Sequence, residues 1–212
     1  MAETEIDWPW QYIREIKPGP VGCGSSLTSW CAALAAALAD WAGQAALTEA
    51  YPERDDSLLQ DISAVASVYQ QELLALAEQD VKAVQQLNEA SKLPAGTAEE
   101  WEERRLHVEQ AAKAATRVPL ETARLCVEIL HLSENAVKKG PQETVTDAVA
   151  AGLLARASLR IASYKIRACL GCIVGDRSFI TAVSTDLNRY EHHAAVLESS
   201  VIRAADKVLL NN

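Results

Sequence analysis

The amino-acid sequence predicts an all-α fold, a bundle of long helices forming one domain over residues 1–212. Three observations carry this reading. Apolar residues recur at helical spacing in every long segment, and no segment alternates apolar and polar residues as a half-buried strand does. Hydrophobic residues reach 49% although aromatic residues are only 5%, because alanine fills the chain. Alanine has the best helix propensity, and its small side chain lets helices approach closely. Proline and glycine fall at a few places that separate the periodic segments.

Taken in order, Asp7 is placed to cap a short helix with Pro9 in its first turn and Trp8, Trp10, Tyr12 and Ile13 as apolar cargo. Lys17 to Gly24 reads as a loop, since proline and glycine oppose helix there. Ser25 or Ser26 caps an Ala-rich helix to about Tyr51, whose smallness all round implies burial against several neighbours. Pro52 to Asp56 breaks the chain, and Asp55, Asp56 or Ser57 opens the next helix. There Leu58, Ile62, Val65, Val68, Tyr69, Leu73, Leu76 and Val84 make an apolar stripe to about Ala90.

Leu93-Pro-Ala-Gly96 is a turn. Thr97-x-x-Glu100 is a capping-box pattern opening a charged helix with Trp101, Leu106 and Val108. Pro119 either kinks this helix or begins another. Lys138-Lys-Gly140 is a helix C-terminus signal. Thr144 or Thr146 caps the following helix, which places Asp147 in its first turn and ends near Gly171. A final helix runs from about Ser178 to Leu210.

Composition narrows the function classes. The net charge of −9 argues against a nucleic-acid surface, which needs clustered Lys and Arg. No apolar run approaches the roughly 20 residues that span a bilayer. The acidic start, Met-Ala-Glu-Thr-Glu, lacks a signal peptide's basic and apolar regions, so a cytoplasmic protein without membrane partners is expected. Five cysteines, an odd number, argue against a secreted disulfide framework. Cys169-Leu-Gly-Cys172 has CxxC spacing but no second ligand pair for zinc and no βαβ context for redox work, so it reads as two small residues near a helix end. His192 and His193 are adjacent and diverge on a helix. No metal site is expected.

Candidate chemistry begins at Asp80, a poor helix former in mid-helix among apolar residues. It is either a surface carboxylate or a functional one. Asp147 is explained by the helix dipole alone or by a further role. Gly22-Cys23-Gly24-Ser25-Ser26 leads into a helix N-terminus, whose free N–H groups favour anions, or is a plain cap.

The run Leu76-Ala-Glu-Gln-Asp80-Val-Lys-Ala-Val84, then Leu93-Pro94, Val118-Pro119-Leu120, Gly140 and Val145-Thr-Asp147-Ala resembles, in order and spacing, the cyclodeaminase/cyclohydrolase family that works on one-carbon tetrahydrofolates. The resemblance covers residues 18–175. It implies a helical bundle of the cyclodeaminase/cyclohydrolase type, a homodimer, and a tetrahydrofolate derivative as small-molecule substrate, with no separate cofactor. It also implies that Asp80, in the family's Asp-x-x-Ala segment, lies in the cleft as general acid/base. Asp147 would be an orienting or charge-stabilising group, and the Cys23, Gly24, Ser25, Ser26 loop a ligand contact.

The chain also departs from the family pattern. Two loop glycines become Cys23 and Ser25, and Gly-Asn-x-Asn becomes Gly140-Pro-Gln-Glu143. Two later asparagines become Lys165 and Cys169, four residues apart and so on one helix face. Methenyltetrahydrofolate is a cation, and an unpaired ammonium beside it in a low-dielectric cleft is unfavourable. Lys165 is therefore expected to pair with Asp80 or Asp147 or to have a lowered pKa, unless it serves an anionic or neutral substrate as acid/base or anion contact. A lysine snorkelling from a buried helix is the plain alternative. Cys169 counts with the ligand contacts.

Three functions are therefore open. The first is a folate cyclohydrolase or cyclodeaminase. The second is an enzyme on this scaffold making or breaking a C–N bond in another substrate. The third is a non-catalytic helical subunit.

Overall fold

The computed structural model describes residues 26–48 and 56–210. Five helices follow one another: α1 (Leu27–Thr48), α2 (Asp56–Ala90), α3 (Ala98–Lys139), α4 (Val145–Leu170) and α5 (Arg177–Leu210), with a 3₁₀ turn at Gln142–Thr144 before α4. There is no strand among the described residues. The Asp7-capped helix and the Lys17–Gly24 loop lie outside the described residues, as does the extension of α1 to Tyr51.

Three helices, α1, α3 and α5, surround α4, and α2 packs on α1 and α3. Alanine sets the spacing. Ala32, Ala35, Ala36 and Ala39 of α1 are fully buried, and so are Ala148, Ala151, Ala155 and Ala162 of α4. At Gly43 a Cβ would stand 3.0 Å from the carbonyl oxygen of Leu59, and at Gly152 one would stand 2.6 Å from the hydroxyl of Ser133. These contacts bring α1 against α2 and α3 against α4 closer than larger residues allow. Larger side chains then fill the centre, where Leu73, Leu125, Ile129, Leu130 and Leu159 are fully buried.

The expectation that α1 is buried all round is corrected. Its alanine face is covered, but Trp30, Leu34 and Trp41 are 39%, 49% and 54% exposed. Their spacing of four and seven residues puts them on one face that no described element covers.

Local signals account for the helix ends. The Thr97 hydroxyl accepts from the Glu100 N–H at 3.1 Å while the Glu100 carboxylate accepts from Thr97 N–H at 3.1 Å and Gly96 N–H at 2.8 Å, a complete capping box. Pro119 neither ends α3 nor begins another helix, and α3 is continuous through it. Interior proline costs about 3 kcal/mol, which burial of Val118, Pro119, Thr122 and Ala123 around it opposes. Gly140 closes α3, its N–H bonded to Ala136 O at 2.8 Å, after Lys138 and Lys139.

One start differs from the sequence reading. Thr144 precedes α4, but its hydroxyl donates to Pro141 O at 3.0 Å and so caps the 3₁₀ turn instead. α5 begins at Arg177, close to the expected Ser178, and Asp176 caps it: its Oδ1 accepts from Phe179 N–H at 3.0 Å and from the Ser178 hydroxyl at 2.7 Å.

Candidate active site

Asp80 lies on the inward stripe of α2. Leu73, Leu76, Ala77, Asp80 and Ala83 are all buried, spaced three or four residues apart, so helical geometry carries a carboxylate into the core. Asp80 is only 1% exposed. Facing it from α4 is Lys165, which flanks the buried Ala162 and Ile166, and its Nζ donates to Asp80 Oδ2 in a short ion pair. The other carboxylate oxygen, Oδ1, is buried and accepts no hydrogen bond from any described residue. A buried acceptor without a partner is costly, and such groups in native proteins concentrate where chemistry or a ligand uses them.

Burial pushes the Asp80 carboxyl above the usual carboxylate range, and the hydrogen bond and charge of Lys165 pull it partly back. Cys169, one turn beyond Lys165, lies against the Thr116 hydroxyl of α3 and within electrostatic reach of Lys165 and Asp80. Burial pushes its thiol up as well, which keeps it protonated. Thr116 is fully buried and donates to Ala112 O at 2.7 Å. The arrangement is a carboxylate able to hold or release a proton, an ammonium beside it, and one open acceptor.

The other sequence candidates fall elsewhere. Asp147 is half-buried in the first turn of α4. It is 18 residues before Lys165 on the same helix, about 27 Å along the axis, so one chain does not bring it to the pair. Ser26 is buried just before α1, and its carbonyl accepts from Trp30 N–H at 3.0 Å. Cys23, Gly24 and Ser25 lie outside the described residues. Among the described residues, no group of three or more His, Cys, Asp and Glu side chains is placed to hold a metal ion. No described helix is long and apolar enough to cross a membrane.

Sequence reasoning missed Thr116 and also Glu109. Glu109, buried on α3, accepts from Gly175 N–H at 2.9 Å and Val174 N–H at 3.4 Å, and pairs with Lys113 at 3.1 Å. Lys113 also reaches Asp176 at 2.9 Å. This fixes the α4–α5 connection against α3. The Gly175 N–H, first, and the Lys113 ammonium hold the Glu109 carboxyl below its ordinary range. Glu109 stands in a run of charges that reads as solvated surface, so nothing local marks it. The glycine three residues past a CxxC is the one hint of close approach.

A pocket of about 470 Å³ opens between α2 and α3, lined by Gln86, Glu89, Leu93, His107 and Gln110 among others, and includes neither Asp80 nor Lys165. Asp80 is buried while Lys165 is partly exposed, and the unsatisfied acceptor and raised carboxyl make the pair the candidate site.

Comparisons with known proteins agree with this fold. The family described as formiminotransferase-cyclodeaminase matches residues 13–189. A methenyltetrahydrofolate cyclohydrolase from Methylorubrum extorquens is 36% identical over 94 residues, 44% of this chain and 45% of its own length. The aligned stretch thus spans under half of that relative. A solved structure of formiminotetrahydrofolate cyclodeaminase from Thermotoga maritima superposes with a TM-score of 0.79 at 20% identity, covering 98% of each chain. That likeness concerns the fold.

Proposed function

We propose, because the chain belongs to the formiminotransferase-cyclodeaminase family, that it is an enzyme of folate one-carbon chemistry. It would act as a cyclohydrolase on 5,10-methenyltetrahydrofolate or as a cyclodeaminase on 5-formiminotetrahydrofolate. The observation that carries the reading is the buried Asp80, paired with Lys165 through one oxygen and open at the other. The pairing removes the objection to a lysine in this place. Its charge is matched by Asp80, so a cationic substrate does not meet an uncompensated ammonium.

In the cyclohydrolase direction, Asp80 takes a proton from water as the water oxygen bonds to the methenyl carbon. The carbon–nitrogen bond of the five-membered ring then breaks, and the ring nitrogen takes a proton as it leaves. In the cyclodeaminase direction, the folate nitrogen attacks the formimino carbon and loses its proton. The bond to the terminal nitrogen breaks, and that nitrogen leaves protonated as ammonia. Both need one group that accepts and returns a proton, which a carboxyl raised above its ordinary range does well. Lys165 holds Asp80 in place and tunes it. The folate derivative enters as substrate, and the protein works in the cytoplasm.

The reading includes a homodimer. Exposed apolar side chains form stripes on α1 (Trp30, Leu34, Trp41) and on α4 (Leu153, Ile161, Tyr164), and such faces suit self-association. Asp147, at the far end of α4, would reach a site built on the pair only from a second copy of the chain. A different substrate remains the second reading, favoured by Lys165 and Cys169 standing where the family pattern has asparagines.

Calorimetric titration of 5-formyltetrahydrofolate into the wild type and into Lys165→Asn tests the proposal. Binding to the wild type, little changed in the variant, supports the folate reading. No binding to either protein counts against it and leaves the other substrate or a non-catalytic subunit.

A further inference from the structure

A second pocket, of about 330 Å³, lies beside the start of α3, lined by Ser91, Trp101, Arg104, Arg105, Val108 and Cys172. Its main wall is one face of α3, because 101, 104, 105 and 108 follow i, i+3, i+4, i+7 spacing. Ser91, just past α2, and Cys172, just past α4, close the other sides. Trp101 is 56% exposed, so an indole face is open to solvent in a chain with few aromatic residues.

The two arginines differ. Arg105 is saturated: it donates to Glu102 through Nε at 2.8 Å and Nη2 at 2.5 Å, and to Glu109 at 3.4 Å. Arg104 is half-buried and pairs with no described residue. A partly desolvated guanidinium without an anion, three residues from an open indole, is a receptor for a planar group that carries carboxylate. The net charge of −9 makes casual capture of anions by the rest of the surface unfavourable.

The position relates this pocket to the Asp80–Lys165 pair. Cys172 lines the pocket, and Cys169, one turn earlier, stands beside the pair. On α3, Val108 of the pocket and Thr116 of the pair's surroundings are eight residues apart, about 12 Å along the axis. An extended folate separates its reacting ring from its terminal carboxylates by a similar order of distance, with an aromatic ring between. We propose that this pocket is a subsite for an aromatic carboxylate, the aminobenzoyl-glutamate end of the substrate. Trp101 stacks on the ring and Arg104 takes a carboxylate. The assignment of the occupant rests on the folate reading, while the recognition chemistry stands on the pocket itself.

The test uses p-aminobenzoylglutamate, which lacks the reacting ring, and 5-formyltetrahydrofolate. Each is titrated into the wild type, Arg104→Glu and Trp101→Ala, after circular dichroism has shown that the variants are folded. The expected result is wild-type binding of both, at least about tenfold weaker in each variant. If 5-formyltetrahydrofolate binds the wild type and both variants equally, the subsite is overturned and the folate reading stands. If p-aminobenzoylglutamate alone binds, and depends on Arg104, the subsite stands for some other aromatic acid and the folate reading falls. If the wild type binds neither, both are overturned.

Discussion

Lys165 and Asp80 are 85 residues apart in sequence, on α4 and α2, and form an ion pair through Nζ and Oδ2 in which the carboxylate is buried and the ammonium side chain keeps 21% of its exposure. Each helix carries its charge on or beside an otherwise apolar stripe, and the long lysine side chain reaches from α4 to the carboxylate on α2. The pair couples the stability of the bundle to the protonation of the most buried carboxyl among the described residues.

Removing one partner is therefore expected to cost more than removing both. Asp80→Ala leaves the ammonium without its anion and should destabilise by about 3 kcal/mol, the low end for a broken buried pair, because Lys165 can turn toward water. Replacing both residues with apolar ones of similar length, Asp80→Leu with Lys165→Met, should return stability to within about 1 kcal/mol of wild type. Urea denaturation of the wild type, Asp80→Leu, Lys165→Met and the double variant gives the cycle. Additive losses would show that the two residues are not coupled.

The pH dependence follows from the raised carboxyl of Asp80. The folded state holds that proton more tightly than the unfolded state, so Asp80 opposes stability as pH rises from the ordinary carboxylate range through its folded value. Asp80→Asn cannot ionise, so its stability relative to wild type should improve over the same window. In activity, the acid limb of the rate profile should lie above the ordinary carboxylate range. Lys165→Met removes the hydrogen bond and charge that lower the Asp80 value and should move the limb to higher pH. Thermal denaturation and kcat/KM measured against pH check both, and a limb that stays put in Lys165→Met would contradict the coupling.

Gly152 is expected to tolerate no side chain while Ser133 is present. An alanine Cβ would stand 2.6 Å from Ser133 Oγ, which itself donates to Ala148 O at 2.6 Å. Gly152→Ala should cost about 1–3 kcal/mol, the usual range for overpacking. In a Ser133→Ala background part of that cost should vanish, because the colliding atom is gone. Equal costs in both backgrounds, measured by denaturant midpoint, would place the strain elsewhere.

Much of the bundle is legible in the sequence because its signals are local. The Thr97–Glu100 capping box, the Lys138-Lys-Gly140 stop and the inward stripe of α2 each lie within a few turns of chain. Asp80 could be singled out because a carboxylate on an apolar stripe is locally inconsistent. Lys165 as its partner came from charge reasoning together with the family pattern. The Glu109 clamp, the Thr116 contact and the cap at Asp176 were not legible. Each depends on which helix lies opposite, and a charged residue in a charged run gives no sign that it faces inward. The exposed apolar face of α1 was hidden for the same reason: its tryptophans and alanines look alike in a period count, and only packing separates the covered side from the open one.

The most direct test of the central claim is turnover of 5,10-methenyltetrahydrofolate and 5-formiminotetrahydrofolate by the purified chain and by Asp80→Asn. Binding of 5-formyltetrahydrofolate is measured alongside to show that the site is intact. The account predicts turnover of one of the two by the wild type, and a loss of about 10²- to 10⁴-fold in Asp80→Asn, the range for a general acid–base group, with binding retained. Turnover in the variant close to that of the wild type would remove Asp80 from the chemistry and contradict the account.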